Sequence, residues 1–321
     1  MMPPYQIAKL LPAAGRPAVA ILLGTYNGAP FLAEQLNSFA AQTYSDWKLW
    51  VSDDGSSDGT LNLLHEYQKA WGEDRLAVLA GPRRGFVANF MSLARNTDIK
   101  AAAYAFSDQD DIWETDKLER AMAWLEGVPT NVPALYMTRT RLIDDEGKDV
   151  GFAPLFTAKE PTFRNAMVQN IGGGNTMTYN EAAGRLLKDA PDVPVVSHDW
   201  WAYILVTGFG GRAFYDIYPS VRYRQHGGNI VGSNAGFFAR LWRAALVFGG
   251  RFKHWSALNT TAVAQVRDRL TPANRRIFDD FCAAREGWLP QRLWALRRSG
   301  VHRQGFIDNI GLYVAALFHR L

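Results

Sequence analysis

Phe106-Ser107-Asp108-Gln109-Asp110-Asp111-Ile112-Trp113 is the stretch on which the reading of this chain turns. It follows Ala101-Ala102-Ala103-Tyr104-Ala105, an apolar run of the kind that forms a buried strand. It precedes Glu114-Thr115-Asp116-Lys117-Leu118, which reads as a helix start with Thr115 as its N-cap. Three carboxylates within four residues therefore fall where a strand ends and the chain turns. Open α/β sheets bind their ligands outside the carboxyl ends of the strands. Like charges this close repel unless a cation compensates them, and hard oxygen donors suit Mg²⁺ or Mn²⁺. A solvated acidic turn that favours the next helix N-terminus is the competing reading. The stretch alone does not choose between the two.

Toward the N-terminus, Ala18-Val19-Ala20-Ile21-Leu22-Leu23 suits a strand buried on both faces, and Gly24-Thr25-Tyr26-Asn27-Gly28 breaks it. Before it, residues 1–17 lead loosely into the fold. Apolar residues at helical spacing run from Phe31 to Ala41. Trp47 to Val51 reads as a second strand and ends in Ser52-Asp53-Asp54-Gly55-Ser56-Ser57-Asp58-Gly59-Thr60. Leu61 to Ala70 is helical and Leu76 to Leu79 is a third strand. The basic turn Arg83-Arg84-Gly85 then leads into a helix at Phe86 to Ala94. Strand alternating with helix predicts a doubly wound, mostly parallel α/β sheet.

Toward the C-terminus, Lys117 to Leu125 reads as a helix, Pro133 to Arg139 as a strand and Asp144-Asp145-Glu146-Gly147 as a hairpin turn. Gly172-Gly173-Gly174-Asn175 lets the backbone approach a ligand closely. Thr176 to Tyr179 reads as a strand and Glu181 to Lys188 as a helix. A further helix opens at His198-Asp199-Trp200-Trp201. Val221 to His226 reads as an edge strand that ends in Gly227-Gly228-Asn229. Phe237 to Phe252 places Phe237, Leu241, Ala245 and Phe248 on one helical face, with Arg240, Arg243 and Arg251 away from it. A basic amphipathic helix of this kind either lies in a membrane interface or packs on the body.

The charge is uneven. From Gly236 onward there are 14 Lys and Arg against 5 Asp and Glu, and the remainder carries 21 against 26. A basic tail on an acidic body implies an anionic partner, lipid or nucleic acid. No RRM, zinc-finger or helix-turn-helix signature supports nucleic acid. With 48% hydrophobic residues the chain is folded and not disordered. Its one cysteine, Cys282, leaves no intramolecular disulfide and fits a reducing compartment. No run reaches the ~20 apolar residues of a membrane span, and the signal-peptide pattern is missing.

Asp53, at a strand end, has a carboxylate suited to accept a hydrogen bond from the imide N–H of uracil or thymine. It is equally suited to cap the next helix, a place Asp58 fills better. Receiver domains also set paired acids at strand ends. Asp54 to Gly59 has part of a calcium-loop pattern without its terminal Glu.

Thr25-Tyr26-Asn27-Gly28, then Asp53 to Thr60, then Asp108 to Trp113 with Asp116-Lys117-Leu118, resemble family 2 glycosyltransferases in order and spacing. The Gln between the acids, followed by His198-Asp199-Trp200-Trp201 and Tyr223-Arg224-Gln225-His226-Gly227-Gly228-Asn229, resembles the bacterial rhamnosyltransferase branch. The resemblance covers roughly Val19 to Gly232. It implies a GT-A domain at 18–232, with a donor half at about 18–125 and an acceptor half at about 126–232. A helical, basic amphipathic region follows at 233–321. It implies a nucleotide-diphosphosugar donor, Mn²⁺ or Mg²⁺, and inversion at the anomeric carbon.

By position, the resemblance puts Thr25, Tyr26, Asn27 and Asp54 on the nucleotide-sugar, with Asp53 reading the base. Arg84 falls near the diphosphate, where Arg83 competes with it. Asp108 and Gln109 fall near the ribose or sugar, Asp110 on the metal, and Asp111 on the loop. Asp199 matches the catalytic base, which must take the acceptor's proton; this chain has His-Asp where many relatives have Glu-Asp. His198, Gly173, Gly174, Asn175, Trp200 and Trp201 fall on the acceptor side. His226 is read as a metal or diphosphate ligand after the acceptor domain closes, or as a structural residue.

The expected activity is transfer of L-rhamnose from dTDP-L-rhamnose to a hydroxyl of a bacterial surface polysaccharide or its lipid-linked precursor. The expected place is the cytoplasmic face of the plasma membrane, with the basic tail on anionic lipid. The alternatives are a UDP-hexose donor, or a non-catalytic sugar-nucleotide-binding protein. Asp110 together with Asp199 speaks against the latter, because binding alone needs no base.

Overall fold

The computed structural model describes residues 19–225 and 250–321. His226, the Gly227-Gly228-Asn229 turn, the proposed boundary at 232/233, most of the Phe237–Phe252 helix and the N-terminal lead-in lie outside them.

Strand β1 (Val19–Thr25) lies at the centre of the parallel part of the sheet. Its neighbours, β2 (Trp47–Asp53) and β4 (Ala103–Ser107), both run parallel to it, and β3 (Leu76–Ala80) lies outside β2. The apolar run of β1 has a physical cause: both of its faces are covered. Val19, Ile21 and Leu23 enter one core with Leu32, Leu36 and Phe39 of α1 (Ala29–Ala40) and Leu64 of α2 (Thr60–Trp71). Ala20 and Leu22 face the opposite core, with Phe90 and Leu93 of α3 (Phe86–Arg95). Successive side chains of a strand point to opposite faces, so a strand wound on both sides must be apolar throughout.

The second half is mixed. After β4 come the short β5 (Ile112–Trp113), α4 (Lys117–Glu126), β6 (Ala134–Ile143) and β7 (Asp149–Phe152). Then follow α5 (Phe163–Ala166), β8 (Thr178–Asn180), α6 (Glu181–Lys188), α7 (His198–Gly208) and β9 (Arg212–Arg224). Strand order is β3-β2-β1-β4-β8-β6-β9-β5, with β7 paired to β6. Strand β8 is antiparallel to both β4 and β6, while β9 is parallel to β6 and antiparallel to β5.

Two local expectations are corrected. The strand expected at Val221–His226 begins at Arg212 and is no edge, because β6 and β5 flank it. Its pairing with β6 is irregular around Arg139, opposite Pro219, where proline cannot donate to a ladder. Thr115 does not cap α4; Asp116 holds the N-cap position, and the Thr115 carbonyl accepts from the Thr43 N–H at 2.9 Å.

The C-terminal helices are α8 (Arg251–Gln265), α9 (Pro272–Glu286), α10 (Leu289–Ser299) and α11 (Phe306–Leu317). Their Phe252, Val263, Phe281, Leu296 and Leu312 join the core that holds Ala20 and Leu22. Residues 299–304, between α10 and α11, are stitched to residues 159–169. Lys159 and Gln304 exchange two hydrogen bonds, and Asn165 Nδ2 donates to the His302 carbonyl at 3.0 Å. Among the described residues no helix is long and apolar enough to cross a membrane.

Candidate active site

Pairing aligns Thr25 with Asp53 and Leu23 with Ser107, so three strands deliver their carboxyl ends to one place. There the Asp53 carboxylate is buried and accepts four hydrogen bonds. Thr25 Oγ1 at 3.0 Å and Ser56 Oγ at 2.5 Å reach Oδ1; the N–H groups of Ser56 at 2.8 Å and Gly55 at 3.2 Å reach Oδ2. A carboxylate offers about four lone-pair sites, and here all are taken. Asp53 reads a base only if one of these donors, the Gly55 N–H being the longest, gives way.

Asp54 is used differently. Its two oxygens accept from the N–H groups of Arg83 at 2.6 Å and Gly85 at 2.7 Å, on either side of Arg84. Arg83 takes a left-handed φ of 57°, and its side chain lies against Gly55. Arg84 is exposed at the tip of the bracketed loop.

The loop after β1 is tied to both neighbours. Asn27, at φ 49°, donates its N–H to Ser56 Oγ and accepts from the Ser57 N–H. Tyr26, with its side chain exposed, exchanges two backbone hydrogen bonds with the Gln109 amide, at 2.8 and 3.0 Å. A Cβ at Gly28 would stand 2.2 Å from Gln109 Oε1, so the Gln109 amide keeps this seat only while residue 28 has no side chain. Asp58 accepts from the first N–H groups of both α1 and α2, Ala29 and Thr60, while Gly59 holds the N-cap position of α2.

The loop after β4 has the opposite character. Asp111 is buried; it accepts from Asn175 Nδ2 at 2.5 Å and the Arg224 N–H at 3.3 Å. Burial, then the charges of Asp110 and Asp108, raise its carboxyl well above the usual range. Among the described residues the Asp108 carboxylate accepts no hydrogen bond. Burial and the negative charges of Asp110 and Asp199 push Asp108 up to about 8. Asp199, from the start of α7, is one of the charges acting on the acidic loop.

Asp199 Oδ2 accepts the Gly174 N–H at 2.9 Å and Oδ1 the Trp200 N–H at 2.7 Å. The Gly173–Asn175 turn thus links the two acidic groups: Gly174 binds Asp199 and Asn175 binds Asp111. His198 lies behind, stacked on Phe90 at 4.0 Å and edge-on to Phe106 at 4.7 Å. Burial pushes its ring down to about 4 against the charge of Asp199, so the ring is neutral at pH 7. Trp201 is fully buried and offers no face to a sugar. Trp200 is also buried, donating Nε1 to the Ala166 carbonyl at 2.6 Å.

Three functional supports escaped the sequence reading. Arg224, 1% exposed, donates to the Asp110, Asp144 and Asp145 carbonyls and to Glu34. It braces the acidic loop from beneath, and only its place in the Tyr223-Arg224-Gln225-His226 motif signalled it. Asn89 Nδ2 donates to the Ser52 carbonyl at 2.8 Å, holding the end of β2. Lys117 is buried, its Nζ 4.0 Å from the centre of the Trp113 ring. Burial pushes it down to about 7 against the pull of Asp111.

Among the described residues no three His, Cys, Asp or Glu side chains close a metal cage. The donor set still fits a hard divalent cation. Mg²⁺ is usually held by one or two carboxylates plus substrate phosphates, and Asp108, Asp110 and Asp111 supply hard oxygen donors within four residues.

Residues 20–189 match the family described as Glycosyl transferase family 2. The chain is 31% identical to dTDP-rhamnosyl transferase RfbG of Shigella flexneri, over 70% of this chain and 78% of that one. It is 30% identical to UDP-Glc:alpha-D-GlcNAc-diphosphoundecaprenol beta-1,3-glucosyltransferase WfgD of Escherichia coli, over 49% of this chain and 57% of that one. The structure of S. aureus TarS 1-349 in complex with UDP-GlcNAc superposes with a TM-score of 0.52 at 15% identity, over 92% of this chain and 90% of that one. That likeness concerns the fold.

Proposed function

From the premise that the chain belongs to glycosyl transferase family 2 and has its GT-A fold, we propose that it transfers L-rhamnose from dTDP-L-rhamnose to a hydroxyl acceptor, with inversion. The observation that carries this reading is the Gly173–Asn175 turn, which ties Asp199, through the Gly174 N–H, to the acidic loop at Asp111, through Asn175 Nδ2. Asp199 takes the proton of the acceptor hydroxyl as its oxygen bonds to the anomeric carbon. The bond from that carbon to the diphosphate oxygen breaks, and the electron pair leaves with the diphosphate. The Gly174 and Trp200 N–H groups fix the base's orientation. Arg84, presented by Asp54, receives charge on the diphosphate.

Asp110 would hold Mn²⁺ or Mg²⁺ together with that diphosphate; the cation supplies Lewis-acid compensation of the leaving group's charge. Asn27 and Tyr26 line the nucleotide side, and Gly173–Asn175 line the acceptor side. The acceptor is a bacterial surface glycan or its lipid-linked precursor, met by a peripheral enzyme on the cytoplasmic face of the membrane. A UDP-hexose donor is the second reading, favoured by the likeness to WfgD.

Calorimetric binding of dTDP-rhamnose, UDP-glucose, UDP-N-acetylglucosamine and GDP-mannose, each with and without Mn²⁺, tests the proposal. Metal-dependent preference for dTDP-rhamnose is expected. Preference for a UDP-sugar keeps the mechanism and replaces the donor. Binding of none by folded protein overturns the site.

A further inference from the structure

Helix α11 is apolar on the wrong side. Its Leu312, Ala315 and Ala316 are buried against the body, as expected. Yet Phe306, Ile310, Tyr313 and Leu317 recur at spacings of four, three and four, which is one helical face, and all four are exposed. Phe306 is 81% exposed and Ile310 50%. Ile307 and Phe318 flank this stripe, and Trp288 and Trp294 stand exposed on the neighbouring α10 and its N-cap. Contiguous exposed apolar surface of this kind marks an interaction site.

The charges say which kind. No charged side chain belongs to the stripe, while Arg303 precedes it and Arg320 follows it. Arg297 and Arg298 are exposed on α10. Residues 250–321 carry 12 Lys and Arg against 5 Asp and Glu. A self-complementary contact between two copies would bring these arginines toward their own counterparts. An anionic lipid surface instead accepts both features, the apolar face below the headgroups and the cations among them. At twelve residues the helix is about 18 Å long, which fits lying in the interface and is too short to span.

We propose that the outer stripe of α11, with Trp288 and Trp294, is the surface that seats this protein on an anionic lipid bilayer. The inference rests on the peripheral-membrane part of the proposed function and is independent of the donor. It also has a structural consequence for the site. Residues 299–304 are hydrogen-bonded to residues 159–169, Trp200 donates to Ala166, and Asp199 adjoins Trp200. The lipid-facing helix and the acceptor side of the site therefore form one hydrogen-bonded assembly, so seating α11 fixes how the acceptor side meets the membrane.

The test is vesicle flotation of the full chain, with phosphatidylcholine vesicles and with phosphatidylcholine mixed with phosphatidylglycerol. Expected is binding that needs phosphatidylglycerol, weakens with salt and falls about tenfold or more in Ile310→Glu. Phe306→Ser, at the more exposed position, serves as the second variant. Melting temperature and calorimetric donor binding should stay as in the wild type, which separates this outcome from any failure of the donor assignment. Wild-type protein that ignores anionic vesicles overturns the proposal, as does equal flotation by folded Ile310→Glu and Phe306→Ser. A wild-type dimer by light scattering that Ile310→Glu converts to monomer assigns the stripe to a second copy and also overturns it.

Discussion

Two acidic loops hang from strands on either side of β1, and they solve opposite problems. After β2, the chain turns back on itself at Gly55, with φ 97°, and the carboxylates of Asp53 and Asp54 receive six donors. After β4, the chain bends at Gln109 and Asp110 before β5, with no residue in the left-handed region. Asp111 gets two donors from distant segments, and Asp108 is left against Asp110 and Asp199. The same residue type thus builds a scaffold in one loop and a crowded acidic cluster in the other. Carboxylates saturated by donors are architecture; a carboxylate such as Asp108, crowded by other acids, is poised for chemistry.

The comparison breaks most visibly at Asp199. Asp199→Asn should lower kcat by roughly 10²–10⁴-fold while donor binding by calorimetry persists. Near-normal turnover would move the base elsewhere and leave the second loop without its partner.

His198 sharpens the contrast, because it supplies no positive charge to that loop. Its folded pKa of about 4 lies below the ordinary value of 6.5. As pH falls the unfolded chain takes the proton first, so stability present above about pH 6.5 is lost toward pH 4. The gap corresponds to about 3 kcal/mol. Thermal melts of His198→Phe should therefore show a shallower decline over that window than the wild type; parallel declines would contradict a buried neutral ring.

Asp54→Ala should cost about 3 kcal/mol by urea unfolding, the loss of two hydrogen bonds to a charged group, and weaken donor binding through a loosened Arg84. Unchanged stability with lost activity would make the first loop chemical and erase the distinction. For Asp110→Asn, Mn²⁺-dependent donor affinity should drop by about tenfold or more, as when even a ligand's supporting partner is removed. Metal dependence equal to wild type would take Asp110 out of the site.

Much of this was legible beforehand because it is local. The apolar run of β1, the alternation with α1 to α3, and the acids at the strand ends depend on neighbours in sequence. What stayed hidden depends on partners far along the chain. Arg224 acts through Glu34, 190 residues away, and no local pattern reports that pairing. The saturation of Asp53 needed the register that sets Thr25 beside it. Strand β9 was shortened to its last residues because Phe214-Tyr215-Asp216-Ile217-Tyr218-Pro219 lacks clean alternation and carries a proline. The outward stripe of α11 falls within the region expected to be helical, basic and amphipathic, but sequence spacing does not say which face is covered.

The clip between Gln109 and Tyr26 carries a further lesson, about descent. Because a Cβ at position 28 would collide with the Gln109 amide, the two positions are not free to drift separately. A lineage that shortens residue 109 first loses the clip before anything at 28 changes, whereas the reverse order displaces the Gln109 amide from Tyr26 and leaves it without its partner. The order of substitutions among relatives should therefore be asymmetric, with changes at 109 on earlier branches than changes at 28.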